Sequence, residues 1–199
     1  SIKKIRVEDK KRNFNQTIDL LVNLKNFDVR KEAFNIFITL PHKLTDKKIA
    51  GFFEKESSLI DVIKKDEFIN FKDKKEIKKL VKKYDFFISN AKLMPLVAST
   101  FGRVLGPSGK MPSPQLGVLS NEENSSVQGL IEKINSSVRI RVKEPSIKVG
   151  IGKLSLHDNQ IVDNILIVYR KIIENLPRGV DNIRNVKIKL TMGKPIRVE

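Results

Sequence analysis

Between Phe14 and Leu24 the segment FNQTIDLLVNL alternates, with Ile18, Leu20, Val22 and Leu24 on one side of an extended chain and Thr17, Asp19 and Asn23 on the other. A period of two predicts a half-buried strand. FNIFITL, 34–40, is β-branched and aromatic and is stopped by Pro41, which predicts a second strand with an antiparallel partner close by. In DKKEIKKLVKKYD, 73–85, the period lengthens. Ile77, Leu80, Val81 and Tyr84 recur at helical spacing, and Asp73 with Glu76 is set as a capping box. Six lysines fill the remaining face, which reads as a solvated surface, with an RNA-facing helix as the alternative.

DFFIS, 85–89, predicts a short buried strand, and the apolar run from Met94 to Phe101 suits a helix. It leads into FGRVLGPSGKMPSPQLG, 101–117, which holds four of the ten glycines and three of the eight prolines and reads as a rigid surface loop. Ser126 can cap a helix with Val127, Leu130, Ile131 and Ile134 as its apolar stripe. VRIRVK, 138–143, alternates Val138, Ile140 and Val142 with Arg139, Arg141 and Lys143, giving one core face and one cationic face. IKVGIG, 147–152, predicts another strand, Asp158 opens a long helix through Leu176, and VKIKLTMG, 186–193, closes with Val186, Ile188 and Leu190 inward. The ends and the middle thus carry separate α/β sets. A mixed α/β (α+β) chain is expected, with a discontinuous domain, 1–43 plus 146–199, and an inserted one, 44–145, leaving after Pro41 and returning near Pro145.

Charge adds a partner to this outline. The chain of 199 residues carries 39 Lys and Arg against 23 Asp and Glu, a formal net charge of +16. The excess is +5 over 1–43, +6 over 44–146 and +5 over 147–199, so no tail explains it. A folded body that is basic throughout points to a polyanion, above all a nucleic acid. There is no cysteine, hence no disulfide or thiolate metal site, and no metal or cofactor is implied. SIKKIRVEDKKR lacks an apolar signal core, and its acidic residues argue against a transit peptide. No run approaches 18 apolar residues, so a soluble cytoplasmic protein that spans no membrane is expected.

Candidate chemistry narrows the picture further. A phosphate loop ending in Gly109 and Lys110 would need glycine at 104 and a hydroxyl at 111, where Val104 and Met111 stand. Arg103 and Lys110 are better expected to meet backbone phosphates as a secondary RNA contact. His42 and His157 are the only histidines and neither belongs to a HExxH pattern, and there is no GxSxG elbow, so no enzyme is expected. TMGKP, 191–195, follows a strand whose outer face is Lys187 and Lys189. Thr191 can bond a ribose 2′-hydroxyl, Met192 can cover the sugar and Gly193 leaves room for the backbone.

TMGKP, FGRVLGPSGKMPSP and RNFNQTIDLLVNL resemble, in order and spacing, the universal family of the first large-subunit ribosomal protein (L-one), which sits on the mobile stalk. KKYDFFIS, 82–89, and LMPL, 93–96, look like its archaeal branch, and the lysine in TMGKP looks like its eukaryotic cytosolic branch. The resemblance implies a ferredoxin-like split domain with an inserted Rossmann-like domain. It implies ribosomal-RNA contacts at Phe14, Gln16 and Thr17, at Thr191, Met192 and Gly193, and at Lys148 and Asn185, with Arg12 supplying a charge where bacterial members carry lysine at the place of Asn13. It further implies a non-enzymatic monomer within the cytoplasmic ribosome that helps deacylated tRNA leave the exit site and represses its own messenger RNA. A ribosome-assembly factor with the same domain is the alternative, and TMGKP argues against it. The segment 49–71 is shorter than the family's strand-helix-strand there, and the N-terminal helix looks clipped.

Overall fold

The structure, a computed structural model, describes Arg6, residues 14–71 and residues 73–198. It divides into two compact units, one within Ser1–Thr45 and Ser136–Glu199 and the other Asp46–Asn135. The chain is of the mixed α/β class.

In the discontinuous unit, β1 (Thr17–Leu24) keeps the alternation of its sequence: Ile18, Leu20 and Val22 are fully buried, and the residues between them are half-buried. It lies inside a four-stranded sheet of order β10-β9-β1-β8, antiparallel to both β8 (Ser146–Lys153) and β9 (Ile183–Leu190); β10 is Ile196–Arg197. The helix α5 (Asp158–Asn175) connects β8 to β9 across β1, which makes the split β-α-β of ferredoxin-like folds. Its Ile161, Val168 and Ile172 are buried with the inward side chains of the sheet. Asn164 is buried there too, its amide donating to Ile151 O at 2.8 Å and its oxygen accepting from His42 N at 3.2 Å. Arg6 ties the approach to α5, donating to Asp158 and to the carbonyls of Leu154 and Leu156.

A one-turn helix α1 (Val29–Glu32) precedes β2 (Asn35–Thr39), which pairs antiparallel with β7 (Ser137–Arg141). Here the expected division needs correcting. VRIRVK was expected within the inserted segment, but Ile36 stands opposite Ile140 and Ile38 opposite Val138, all within the core of the discontinuous unit. The return crossing therefore falls at Asn135/Ser136, ahead of Pro145, because those apolar side chains complete the first core.

The second unit is a parallel sheet of order β4-β3-β5-β6, from β3 (Ile49–Phe52), β4 (Asp61–Ile63), β5 (Phe86–Asn90) and β6 (Val118–Leu119). β3 is buried along its whole length, as strands covered on both faces are. No α-helix joins β3 to β4, in keeping with the short segment 49–71, whose end is a 3-10 turn, Lys65–Phe71. The core is aromatic: the Phe52 ring stacks on Phe87 at 5.7 Å and meets Phe101 at 4.9 Å, and Phe68 meets Phe101 edge-on at 5.1 Å.

α2 (Lys74–Lys83) and α3 (Met94–Ser108) pack into this core, and α4 (Asn124–Ser136) follows β6. The expected capping box does not form: the Asp73 side chain makes no bond to the start of α2, and the Glu76 carboxylate, which would supply the reciprocal bond, pairs with Lys79 at 2.8 Å. α3 overturns the expected loop from 101. Gly102, Gly106 and Pro107 lie inside the helix, since Val97, Phe101 and Leu105 recur every four residues and are each fully buried. Burial of that stripe offsets a cost of about 1 kcal/mol for each glycine and about 3 kcal/mol for the proline. The turn out of α3 is made at Gly109, whose φ of 74° suits glycine.

Candidate nucleic-acid interface

One face of the four-stranded sheet packs on the first core, and the other carries polar side chains in register. Across it, Asn23 of β1 stands beside Ser146 and Asn185, Leu21 beside Lys148 and Lys187, Asp19 beside Gly150 and Lys189, and Thr17 beside Lys153. From Thr17 to Asn23 these rows run about 20 Å at strand rise. Asn23 donates to Asn185 Oδ1 at 2.7 Å and accepts from Ser146 at 2.9 Å, which fixes the amides at one end.

The other end is built by the chain's two distant segments. Thr191 follows the last residue of β9, and both its backbone N–H and its hydroxyl donate to Thr17 O, at 3.0 and 3.1 Å. Gly193 N donates to Leu190 O at 2.8 Å, closing the turn, and a Cβ at 193 would stand 3.2 Å from Leu190 Cβ. Phe14 and Met192 are 57 % and 63 % exposed beside an otherwise polar surface. Such side chains are available to cover a sugar or a base.

Asp19 is the one carboxylate among these rows. Burial raises its pKa, while a hydrogen bond with Thr191 and the charge of Lys189 pull the other way. Lys148 approaches Glu144 at 3.5 Å in an exposed pair, an interaction of small energy that leaves the ammonium able to turn to a phosphate.

Phe14, Thr17, Lys148, Asn185, Thr191, Met192 and Gly193 thus all belong to the discontinuous unit, on this sheet or its margin. Gln16 does not share their exposure. It is 3 % exposed, since strand parity puts it with Ile18 and Leu20 on the packed side. Arg12 lies outside the described residues. Arg103 is exposed on α3, in the other unit. Lys110 is committed elsewhere: its ammonium donates to Val81 O at 2.8 Å and to Tyr84 O at 2.7 Å, carbonyls at the end of α2. Asp19 and Lys153 were absent from the expected contacts, although the alternation of β1 already marks Asp19 as facing the same way as Thr17.

At the switch point of the parallel unit, backbone donors of the described residues are taken by a carboxylate of the chain itself. Outside the carboxyl ends of β3 and β5, where doubly wound sheets hold nucleotides, the Glu122 carboxylate accepts from Glu54 N, from Lys55 N at 2.9 Å and from the Asn90 amide at 2.6 Å. His42 meets Asp163 at 3.3 Å, and no helix of the described residues is long and apolar enough to cross a membrane.

Residues 3–194 match the ribosomal protein L1p/L10e family. The chain belongs to that family. It is 39 % identical to the large ribosomal subunit protein uL1 of Nanoarchaeum equitans, over 99 % of this chain and 97 % of the relative. Identity is 36 % to the protein of the same name from Pyrococcus horikoshii, over 100 % and 94 %, and 34 % to that from Methanocaldococcus jannaschii, over 100 % and 93 %. The chain is of the archaeal type within the family, whose members are non-enzymatic ribosomal proteins.

Proposed function

We propose that the chain is a structural constituent of the large subunit of the cytoplasmic ribosome and that its discontinuous unit clamps the stalk of the large ribosomal RNA. The observation that carries this reading is the junction of two segments 174 residues apart, Thr17 and Thr191, 3.1 Å from each other on an open cationic sheet and flanked by exposed Phe14 and Met192. The Thr191 hydroxyl has a single proton to give, to Thr17 O or to the neighbouring Asp19 carboxylate, and with either acceptor it keeps a lone pair for a ribose 2′-hydroxyl. Gly193, without a side chain, lets the sugar approach; Met192 covers it and Phe14 packs on its neighbour. Lys148, Lys187 and Lys189 neutralise phosphates along the rows, and Asn185, held by Asn23, presents its amide at the far end.

Arg103 is retained as a backbone contact, whereas Gln16 and Lys110 leave the set for the reasons given above. Assistance to deacylated tRNA at the exit site, and repression of the chain's own messenger RNA through a stalk-like fold, are finer proposals that follow from stalk binding and the family resemblance.

Affinity for a stalk RNA fragment against an unrelated hairpin tests the reading. Loss of a hydrogen bond to a 2′-hydroxyl costs about 1–3 kcal/mol, so Thr191→Val is expected to weaken stalk binding roughly 5- to 150-fold and to leave hairpin binding unchanged. Equal weakening by Lys187→Ala on both RNAs, with no effect of Thr191→Val, would replace recognition by plain charge attraction.

A further inference from the structure

α2 presents a cationic face that the stalk-binding unit does not use. Its sequence, KKEIKKLVKK, turns Ile77, Leu80 and Val81 into the aromatic core. At about 100° per residue, Lys75, Lys78, Lys79 and Lys82 fall on the opposite side within an arc of roughly 100°, and all four are exposed. Lys79 is held by Glu76 at 2.8 Å and Lys83 lies 3.6 Å from Asp61; Lys75, Lys78 and Lys82 have no ion-pair partner among the described residues. From Lys75 to Lys82 the stripe extends about 10 Å along the axis.

Two further features sharpen its charge. The carbonyl end of a helix carries negative potential, and here the Lys110 ammonium sits on it, bonded to Val81 O and Tyr84 O. The helix is therefore cationic along its outer length rather than tapering to a negative end. The stripe also contains no aromatic side chain on which a base could stack and no amide that could read a base edge.

We propose that α2 is a second RNA-docking surface, specific for the backbone of double-helical ribosomal RNA and indifferent to its sequence. The proposal rests on the reading of the chain as a ribosomal-RNA binder, but it assigns the contact to a different unit. Lys75, Lys78 and Lys82 engage successive phosphates of one strand, where single-stranded RNA would leave its bases without a stacking partner.

The test uses the full chain, a short RNA duplex that lacks the stalk sequence, and the variant Lys75→Gln/Lys78→Gln/Lys82→Gln. Glutamine keeps the helix propensity close to that of lysine. At roughly 0.9 per phosphate contact, the slope of log affinity against log salt is expected to become shallower by about 2 to 3. Amide shifts along Lys74–Lys83 should move on duplex addition, and the stalk preference of the variant should match that of the wild type. A matched variant, Arg170→Gln/Lys171→Gln/Arg178→Gln, removes the same charge from the other unit and should change the slope little. An unchanged slope in the α2 variant, or an equal change in the matched variant, overturns the proposal. So does a set of α2 shifts that appears with polyglutamate and not with duplex, because the surface would then fit an acidic protein. Absence of stalk preference in the wild type would strike at the discontinuous unit, while the slope difference still reports on α2.

Discussion

Lys110 separates a structural role from an RNA-binding one more sharply than any other residue in the chain. From sequence it is a loop cation beside Gly109, free to meet a phosphate. In the structure its ammonium donates to two carbonyls, Val81 O at 2.8 Å and Tyr84 O at 2.7 Å, and so links the turn after α3 to the end of α2. Lys110→Met keeps the aliphatic stem and removes only the charged donor. Hydrogen bonds to charged groups contribute about 1.5–3 kcal/mol each, and a cation at a helix C-terminus about 0.3–1 kcal/mol. The side chain is half-buried and water can rehydrate part of what is lost, so the sum is discounted to about 2 kcal/mol.

For a unit the size of Asp46–Asn135 such a loss lowers the thermal midpoint by on the order of 10 °C. Differential scanning calorimetry reads it directly, with Arg103→Met, exposed on α3, as a control expected to stay within about 0.5 kcal/mol. RNA binding measured in parallel should keep its salt slope. A Lys110→Met protein with an unchanged midpoint and a salt slope shallower by about one contact would refute the structural assignment and return Lys110 to the RNA-contacting set.

Asp19 carries a pH signature: its raised pKa means that the folded state holds the proton more tightly than the unfolded one, so the ionised carboxylate costs stability at neutral pH. That cost disappears as pH falls through the raised folded value toward the ordinary one of 3.8, so Asp19→Asn should stabilise the protein at pH 7, with a gain that shrinks in acid; a gain independent of pH would remove this account. Replacing 46–135 by a Gly/Ser linker should leave the discontinuous unit folded and still selective for stalk RNA, since Thr17, Thr191 and Phe14 are all retained. Its off-rate should rise and its salt slope fall as the contacts of α2 are lost; a well-folded truncation without stalk selectivity would move recognition into the parallel unit.

Periodicity made most elements legible, because strands and helices here bury one side of a regular pattern. β1, β2, β8, β9, α2 and α5 each follow apolar positions at period two or near 3.6, whereas β5 is marked by an unbroken apolar run. Where local signals and burial conflict, burial decided. Glycine and proline at 102, 106 and 107 read as a loop, yet the Val97–Phe101–Leu105 stripe carries the helix through them to Gly109. The capping box at Asp73 has a local competitor instead: Glu76 has Lys79 within reach and pairs with it, so its carboxylate is not turned to the helix start.

The site was legible by residue type and less so by orientation. A threonine and a methionine beside glycine mark the turn after β9 as a candidate contact by residue type, before the turn's geometry is known. Which residues of β1 face the open side of the sheet is a question of parity, and parity is fixed by the core. Ile18, Leu20 and Val22 claim the packed side, so Gln16, two residues before Ile18, goes with them, and Thr17 and Asp19 are left to the open face. A one-residue register shift would reverse the assignment and bury Asp19 among isoleucines, at a cost far above that of exposing one leucine at 21. The same hydrophobic pattern that specifies the sheet therefore also selects, among neighbouring polar residues, the ones left on its open face.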